Sequence, residues 1–200
     1  MMRPLAFRVG GVPVFIELPA ILCLAALFFT DPSPYTALVL LAAAGHEAGH
    51  LVALRLFRVR IGPIHIYPFG AVIGADTALL PPSKEAAAAL AGIAVNACFA
   101  AVCLPLGLVL GQIYLLFFGA ANAVLGAVNF FPVPSLDGVR ALACLLAEKL
   151  PPDRAETLSG IIGEIALLCL AALSVYLIHL GGGNFSLLIF CAALFLSLCR

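Results

Sequence analysis

The sequence predicts an all-α polytopic membrane protein, with six transmembrane helices and a short membrane-associated β-hairpin or small sheet after the second. Three observations predict it. Of 200 residues, 64% are hydrophobic and 10% charged, with a mean hydropathy of +1.19, too apolar for a water-exposed surface. Apolar runs of the roughly 20 residues that span a bilayer begin near residues 13, 36, 86, 112, 157 and 184. Placing the N-terminus in the cytoplasm then puts all ten Lys and Arg residues on that side, as the positive-inside tendency requires. These are Arg3 and Arg8 before the first span, Arg55, Arg58 and Arg60 after the second, and Lys84 before the third. Arg140, Lys149 and Arg154 lie between the fourth and fifth, and Arg200 ends the chain. The outer connections, DPSPY at 31–35, GQ at 111–112 and GGGN at 181–184, carry none. The reading is one domain over residues 1–200, with no inserted module, multi-pass in what is expected to be a bacterial cell membrane, both termini cytoplasmic. A formal net charge of zero gives no argument for nucleic acid.

Residues 7–16, FRVGGVPVFI, alternate β-favouring residues about Gly10-Gly11, which predicts a hairpin leading into the first span. The long lead-in and the lack of a small-x-small cleavage site argue for a retained span rather than a secretory signal. The second run, residues 36–57, is almost wholly apolar except at His46-Glu47-Ala48-Gly49-His50. Residues four apart share a helix face, so His46 and His50 can offer two imidazole nitrogens to one metal ion, with Glu47 beside them as general base. Ionisable side chains at membrane depth are costly and mark functional sites. The plainer alternative is a chance motif, with packing histidines and a snorkelling glutamate.

Residues 59–75 are punctuated by Gly62, Pro63, Pro68, Gly70 and Gly74 but rich in Ile, Val, Tyr and Phe, which predicts two short strands dipping into the cytoplasmic interface. Their edge, near Phe69 and Gly70, could take an extended peptide by strand addition, or the segment could simply plug the bundle. The third span carries Gly92 and Asn96, and the fourth Asn122 and Asn129; small residues allow close helix approach and amides bond between helices. Helix glue is the reading of Asn122.

Two histidines do not complete a catalytic zinc site, which takes three protein ligands. After the fourth span, Pro132 and Pro134 break the helix and Gly138 allows close backbone approach just after Asp137. Asp137 is the candidate third donor, and also a candidate cap for the helix that follows.

HEAGH in the second span, Gly92-Ile93-Ala94-Val95-Asn96 in the third and NFFPVPSLDG after the fourth resemble, in order and spacing, the three motifs of the site-2 protease family of intramembrane metalloproteases. The resemblance covers residues 36–150. It implies one zinc per chain on His46, His50 and Asp137, Glu47 as catalytic base, and Asn96 and Asn129 as polar residues beside the active site that hold substrate backbone or stabilise the oxyanion. It implies a membrane-bound protein substrate, cut in or near its transmembrane segment, and an inhibitory membrane partner. Ile93 stands where the family commonly has proline. The compact form is most similar to the sporulation branch, whose substrate is a pro-sigma factor.

The seven cysteines lack CxxC pairing and read as small hydrophobes. Glu17 and His179 fall near span ends, and His65 reads as interfacial. Glu164, well inside the fifth span, is expected in a bonded bundle interior, with a substrate gate as the alternative. Two other classes stay open: a metal or proton transporter, against which no internal repeat is visible, and a non-proteolytic adaptor, which would have no chemical need of Glu47.

Overall fold

The computed structural model describes residues 4–9, 11–67, 70–77, 80–182 and 185–198, with side chains at all of these except 181, 182, 186 and 196–198. Two strands, β1 (Leu5–Val9) and β2 (Val12–Ile16), precede helices α1 (Leu18–Thr30) and α2 (Pro34–Leu56). Strands β3 (Ile61–Tyr67) and β4 (Gly70–Ala75) follow, then α3 (Pro82–Leu110), α4 (Ile113–Phe130), α5 (Asp137–Ala147), α6 (Pro152–Leu177) and α7 (Ser186–Leu198). A π-helical turn, Ile178–Gly182, extends α6.

Among the described residues four helices, α2, α3, α4 and α6 with its extension, are long and apolar enough to cross a membrane, and the chain is an integral membrane protein. The first expected span is divided. Its β-branched and proline-containing start, Val12–Ile16, is strand, and the helix that follows has 13 residues, a rise of about 20 Å. The last run contributes a helix of 13 residues, Ser186–Leu198.

Both expected strand pairs form, and they join. The sheet order is β1-β2-β3-β4, with antiparallel hairpins at the sides and β2 parallel to β3 in the middle, Val14 opposite Ile64 and Ile16 opposite Ile66. Parallel strands need a long return connection; here α1 leaves from β2 and α2 returns to β3, so both ends of this helical pair meet at the sheet. The β3–β4 register shifts between Ile61 and Ile64. Pro63, which cannot donate to a ladder, sits in that irregularity, and Gly74 makes room for it, since a methyl group there would lie 2.8 Å from the Pro63 carbonyl oxygen. The sheet rests on the ends of α2 and α3 through Ile61, Ile73 and Ala75 against Ala53, Leu54 and Ala88.

Glycines set the helix spacing around the site. A methyl group at Gly49 would meet the Ala91 carbonyl oxygen at 2.7 Å, which fixes the closest approach of α2 to α3. Gly107 and Gly119 do the same between α3 and α4, against Leu116 and Leu104. Val133, 1% exposed, seats the segment before α5 against Leu167 of α6 and Cys191 and Leu194 of α7. Glu164 is not in the bonded interior expected of it. It lies on the exposed side of α6 with no polar partner among the described residues, because the packed face of that helix is carried by Ala155, Ser159, Gly163, Leu167 and Ser174. The six described cysteines are unpaired.

Candidate metal centre

His46 and His50 lie one turn apart on α2 and both point at α3. Gly92 of α3 is the floor beneath them: a methyl group there would overlap His50 Nε2 and lie 2.8 Å from His46 Cε1 and Nε2. Any side chain at 92 would take the space between the rings.

The third group comes from α5. Leu136 holds the cap position, so Asp137 is the first residue of the helix rather than its cap, a place where a carboxylate is favoured by the helix dipole. Gly138 lets this turn nest against the end of α4, where a methyl group would collide with the Phe130 and Phe131 carbonyl oxygens. Two side-chain bonds help hold α5 in position. Glu85 Oε1, on the first turn of α3, accepts from Arg140 Nη2 and from Thr77 Oγ1, each at 3.1 Å.

The donor atoms form a tight triangle. His46 Nε2 is 2.8 Å from Asp137 Oδ2, His50 Nε2 is 3.2 Å from it, and the two nitrogens are 3.1 Å apart. Ligands at about 2.0–2.1 Å around a tetrahedral zinc ion stand roughly 3.3 Å from one another, so the triangle needs only slight expansion.

The outer ring nitrogens are committed elsewhere. His50 Nδ1 donates to the Ala88 carbonyl at 2.8 Å. His46 Nδ1 donates to Asn96 Oδ1, Asn96 Nδ2 donates to Asn122 Oδ1 at 2.8 Å, and Asn122 Nδ2 donates to the Phe118 carbonyl at 2.8 Å. A backbone carbonyl can only accept. Starting from Phe118, the orientation of both amides and the tautomer of His46 are therefore assigned in sequence. Each Nε2 is left with its lone pair facing the other and facing a carboxylate, an arrangement that a cation between them stabilises. Burial alone would raise the Asp137 carboxyl, but the two imidazoles beside it outweigh this and bring it to about 2, so it is an anion at neutral pH. The cluster His46, His50 and Asp137 can hold a metal ion.

Glu47 projects from α2 beside His46 and is partly buried; its Oε1 accepts the Ala71 N–H of β4 at 3.3 Å. Gly70 has φ +145°, a glycine conformation, and a methyl group there would lie 3.6 Å from Glu47 Oε1. The sheet thus reaches the carboxylate. Phe69 lies outside the described residues. Asn129 is partly buried on α4 and donates to its own helix at Leu125, 3.0 Å. Asn96 and Asn122 are both 0% exposed, and Asn96 has both amide ends engaged, one by His46 and one by Asn122. His65 lies away from the triangle, paired to Glu17 at 3.0 Å and stacked on Phe15.

Sequence reasoning did not reach Gly92 as the floor, Glu85 as the tie to α5, or the relay through Asn122. The four-residue spacing of Gly92 and Asn96, which puts both on one face of α3, was the available signal for the first and third.

This is a helical membrane protein with a metal-capable His/His/Asp cluster set between its helices and a small sheet against it. Its fold is that of the site-2 protease from Methanocaldococcus jannaschii, with a TM-score of 0.67 and 22% sequence identity over 96% of this chain and 92% of that one. The resemblance carried by the three motifs is thereby matched at the level of fold. No protein-family model and no curated protein matches the sequence.

Proposed function

We propose that the chain is an intramembrane zinc metalloprotease of the site-2 protease family that hydrolyses a peptide bond in or near a transmembrane segment of a membrane-bound protein. One observation carries the reading: two α2 imidazoles and the α5 carboxylate converge, lone pairs inward, with the Glu47 carboxylate one residue from the first ligand. His46, His50 and Asp137 would hold the zinc. Once bound it would supply Lewis acidity, polarising the scissile carbonyl and making water a better nucleophile. Glu47 takes the proton of the attacking water and returns it to the leaving amine.

A helical substrate hides its carbonyls in hydrogen bonds, so cleavage requires an extended stretch. Strand β4 pairs only with β3 among the described strands, and its open edge runs past Glu47. An extended peptide added there would lie beside the metal centre, with Gly70 at the entry and Asn129 as a donor to its backbone. In the membrane, α1 and α7 complete a six-span arrangement with both termini in the cytoplasm, and the cut is made from the cytoplasmic side. Sporulation pro-sigma factors of bacteria are the narrower substrate proposal, with an inhibitory membrane protein as the regulator.

The test is zinc content per chain in detergent-purified protein, together with cleavage of a single-span substrate. About one zinc in the native chain, markedly less in Asp137→Ala, and full zinc without cleavage in Glu47→Gln are expected. A well-folded native chain without zinc would overturn the reading, as would metal transport across vesicles with no Glu47-dependent cleavage.

A further inference from the structure

Glu164 is left unexplained by the site. It lies ten residues beyond Arg154 on α6, about 15 Å along the axis, inside the segment long and apolar enough to cross a membrane. His46 stands nine residues from Arg55 on α2, about 13 Å by the same rise, so the carboxyl lies near the depth of the metal centre. It is exposed, and no described residue bonds or pairs with it. An ionisable group at such depth normally faces a protein partner or a water-filled cavity.

Its surroundings on the helix are those of a contact between helices. Gly160, one turn earlier, has nothing within 4 Å of the place a side chain would occupy. Ile161 and Leu168 flank the carboxyl and are 49% and 67% exposed. Open glycine beside a polar side chain allows close approach with a hydrogen bond across the contact.

We infer that this face of α6 docks a transmembrane helix of another membrane protein, one that presents a Lys, Arg or amide side chain at mid-depth to Glu164. Charge complementarity selects that occupant over a second copy of this chain. Every described Lys and Arg stands in a connection, a strand, a terminal turn of a span or the short helix α5. The buried amides Asn96 and Asn122 are engaged inside the bundle. A second copy docked face to face would answer Glu164 with its own Glu164, a like-charge pair. Gly163, the residue before it, faces the segment that leads to Asp137: a methyl group there would lie 3.2 Å from the Pro132 carbonyl oxygen and from Pro134 Cδ. A helix bound at Glu164 would therefore press on the support of the third ligand.

The test does not depend on protease activity. The full-length chain, labelled with a fluorescent donor, is placed in phosphatidylcholine vesicles with an acceptor-labelled Leu-rich helix bearing one central Lys, or with an all-Leu helix. At least tenfold tighter association is expected for the Lys helix. Glu164→Leu, a change at an exposed position, should reduce this to the all-Leu level, Glu164→Gln should retain part of it, and Gly160→Leu should weaken it. Equal association of the native chain with both probes would overturn the inference. So would Lys-helix binding unchanged in Glu164→Leu, or Glu164-dependent self-association in the absence of any probe.

Discussion

The most specific requirement at the residue scale falls on Gly92, which no charge or hydrogen bond would have singled out. The ring atoms of His46 stand where a methyl group at 92 would be only 2.8 Å away, well inside van der Waals contact. Gly92→Ala should therefore abolish zinc retention while Gly45→Ala, where the nearest atom is the ring edge of Phe99 at 3.1 Å, should largely keep it; metal analysis of the two purified variants checks this. The relay behind His46 makes a subtler demand. Asn122→Leu strands Asn96 Nδ2, a buried unpaired donor costing about 1–3 kcal/mol, and loosens the hold of Asn96 on the His46 ring. Its zinc affinity, measured by chelator competition, should fall roughly 10–100-fold, the usual effect of losing an outer partner of a ligand. Asn122→Asp behaves differently: as a carboxylic acid its hydroxyl can donate to Phe118 and its carbonyl can accept from Asn96. Affinity near that of the native chain is expected. Similar losses in both variants would show that the site feels volume at 122 rather than the bond.

The clearest divergence from the sequence reading comes at the scale of elements. HEAGH and the Asp137 turn were legible because their chemistry is local: residue type, four-residue spacing and helix-breaking prolines are all written within a few positions. The parallel pairing of β2 with β3 was not, because Val14 and Ile64 are 50 positions apart and nothing in either strand names its neighbour. The divided first span was hidden for another reason, since strand and helix made of the same apolar residues look alike to hydropathy. Placement of α5 was half legible. Gly138 announced a close approach, but its partner, the end of α4, is a backbone surface with no sequence signal. The sheet carries a prediction of its own. The Ala71 N–H bonds Glu47 at 3.3 Å and so points away from β3. Ala71→Pro removes that outward donor while leaving the β3–β4 ladder, so zinc content should be unchanged and cleavage of a single-span substrate should drop about tenfold, a barrier change of roughly 1.4 kcal/mol. Undiminished cleavage would remove β4 from the catalytic assembly.

The charge pattern and the metal site point the same way on the scale of the whole molecule. The ends of α2 and α3 meet where Lys84 stands over the Phe57 ring, and α5 joins them through Arg140 and Glu85. The basic connections therefore gather on the side where the sheet lies. An impermeant thiol reagent should label Arg154→Cys from the cytoplasmic face and Gln112→Cys from the opposite face, above the background of the native cysteines; the reverse pattern would invert the orientation.

The joined sheet and the distant third ligand also set an order of events during synthesis. β2 is made first and waits unpaired along one side until two helices have been threaded into the bilayer and the chain has come back as β3. Asp137 follows His46 by 91 positions, which at about 5–20 residues per second is roughly 5–18 s of translation. Through that interval the ribosome-bound chain carries the histidine pair and the glutamate but not the carboxylate that completes the triangle. A half-made copy in the membrane thus lacks the full donor set.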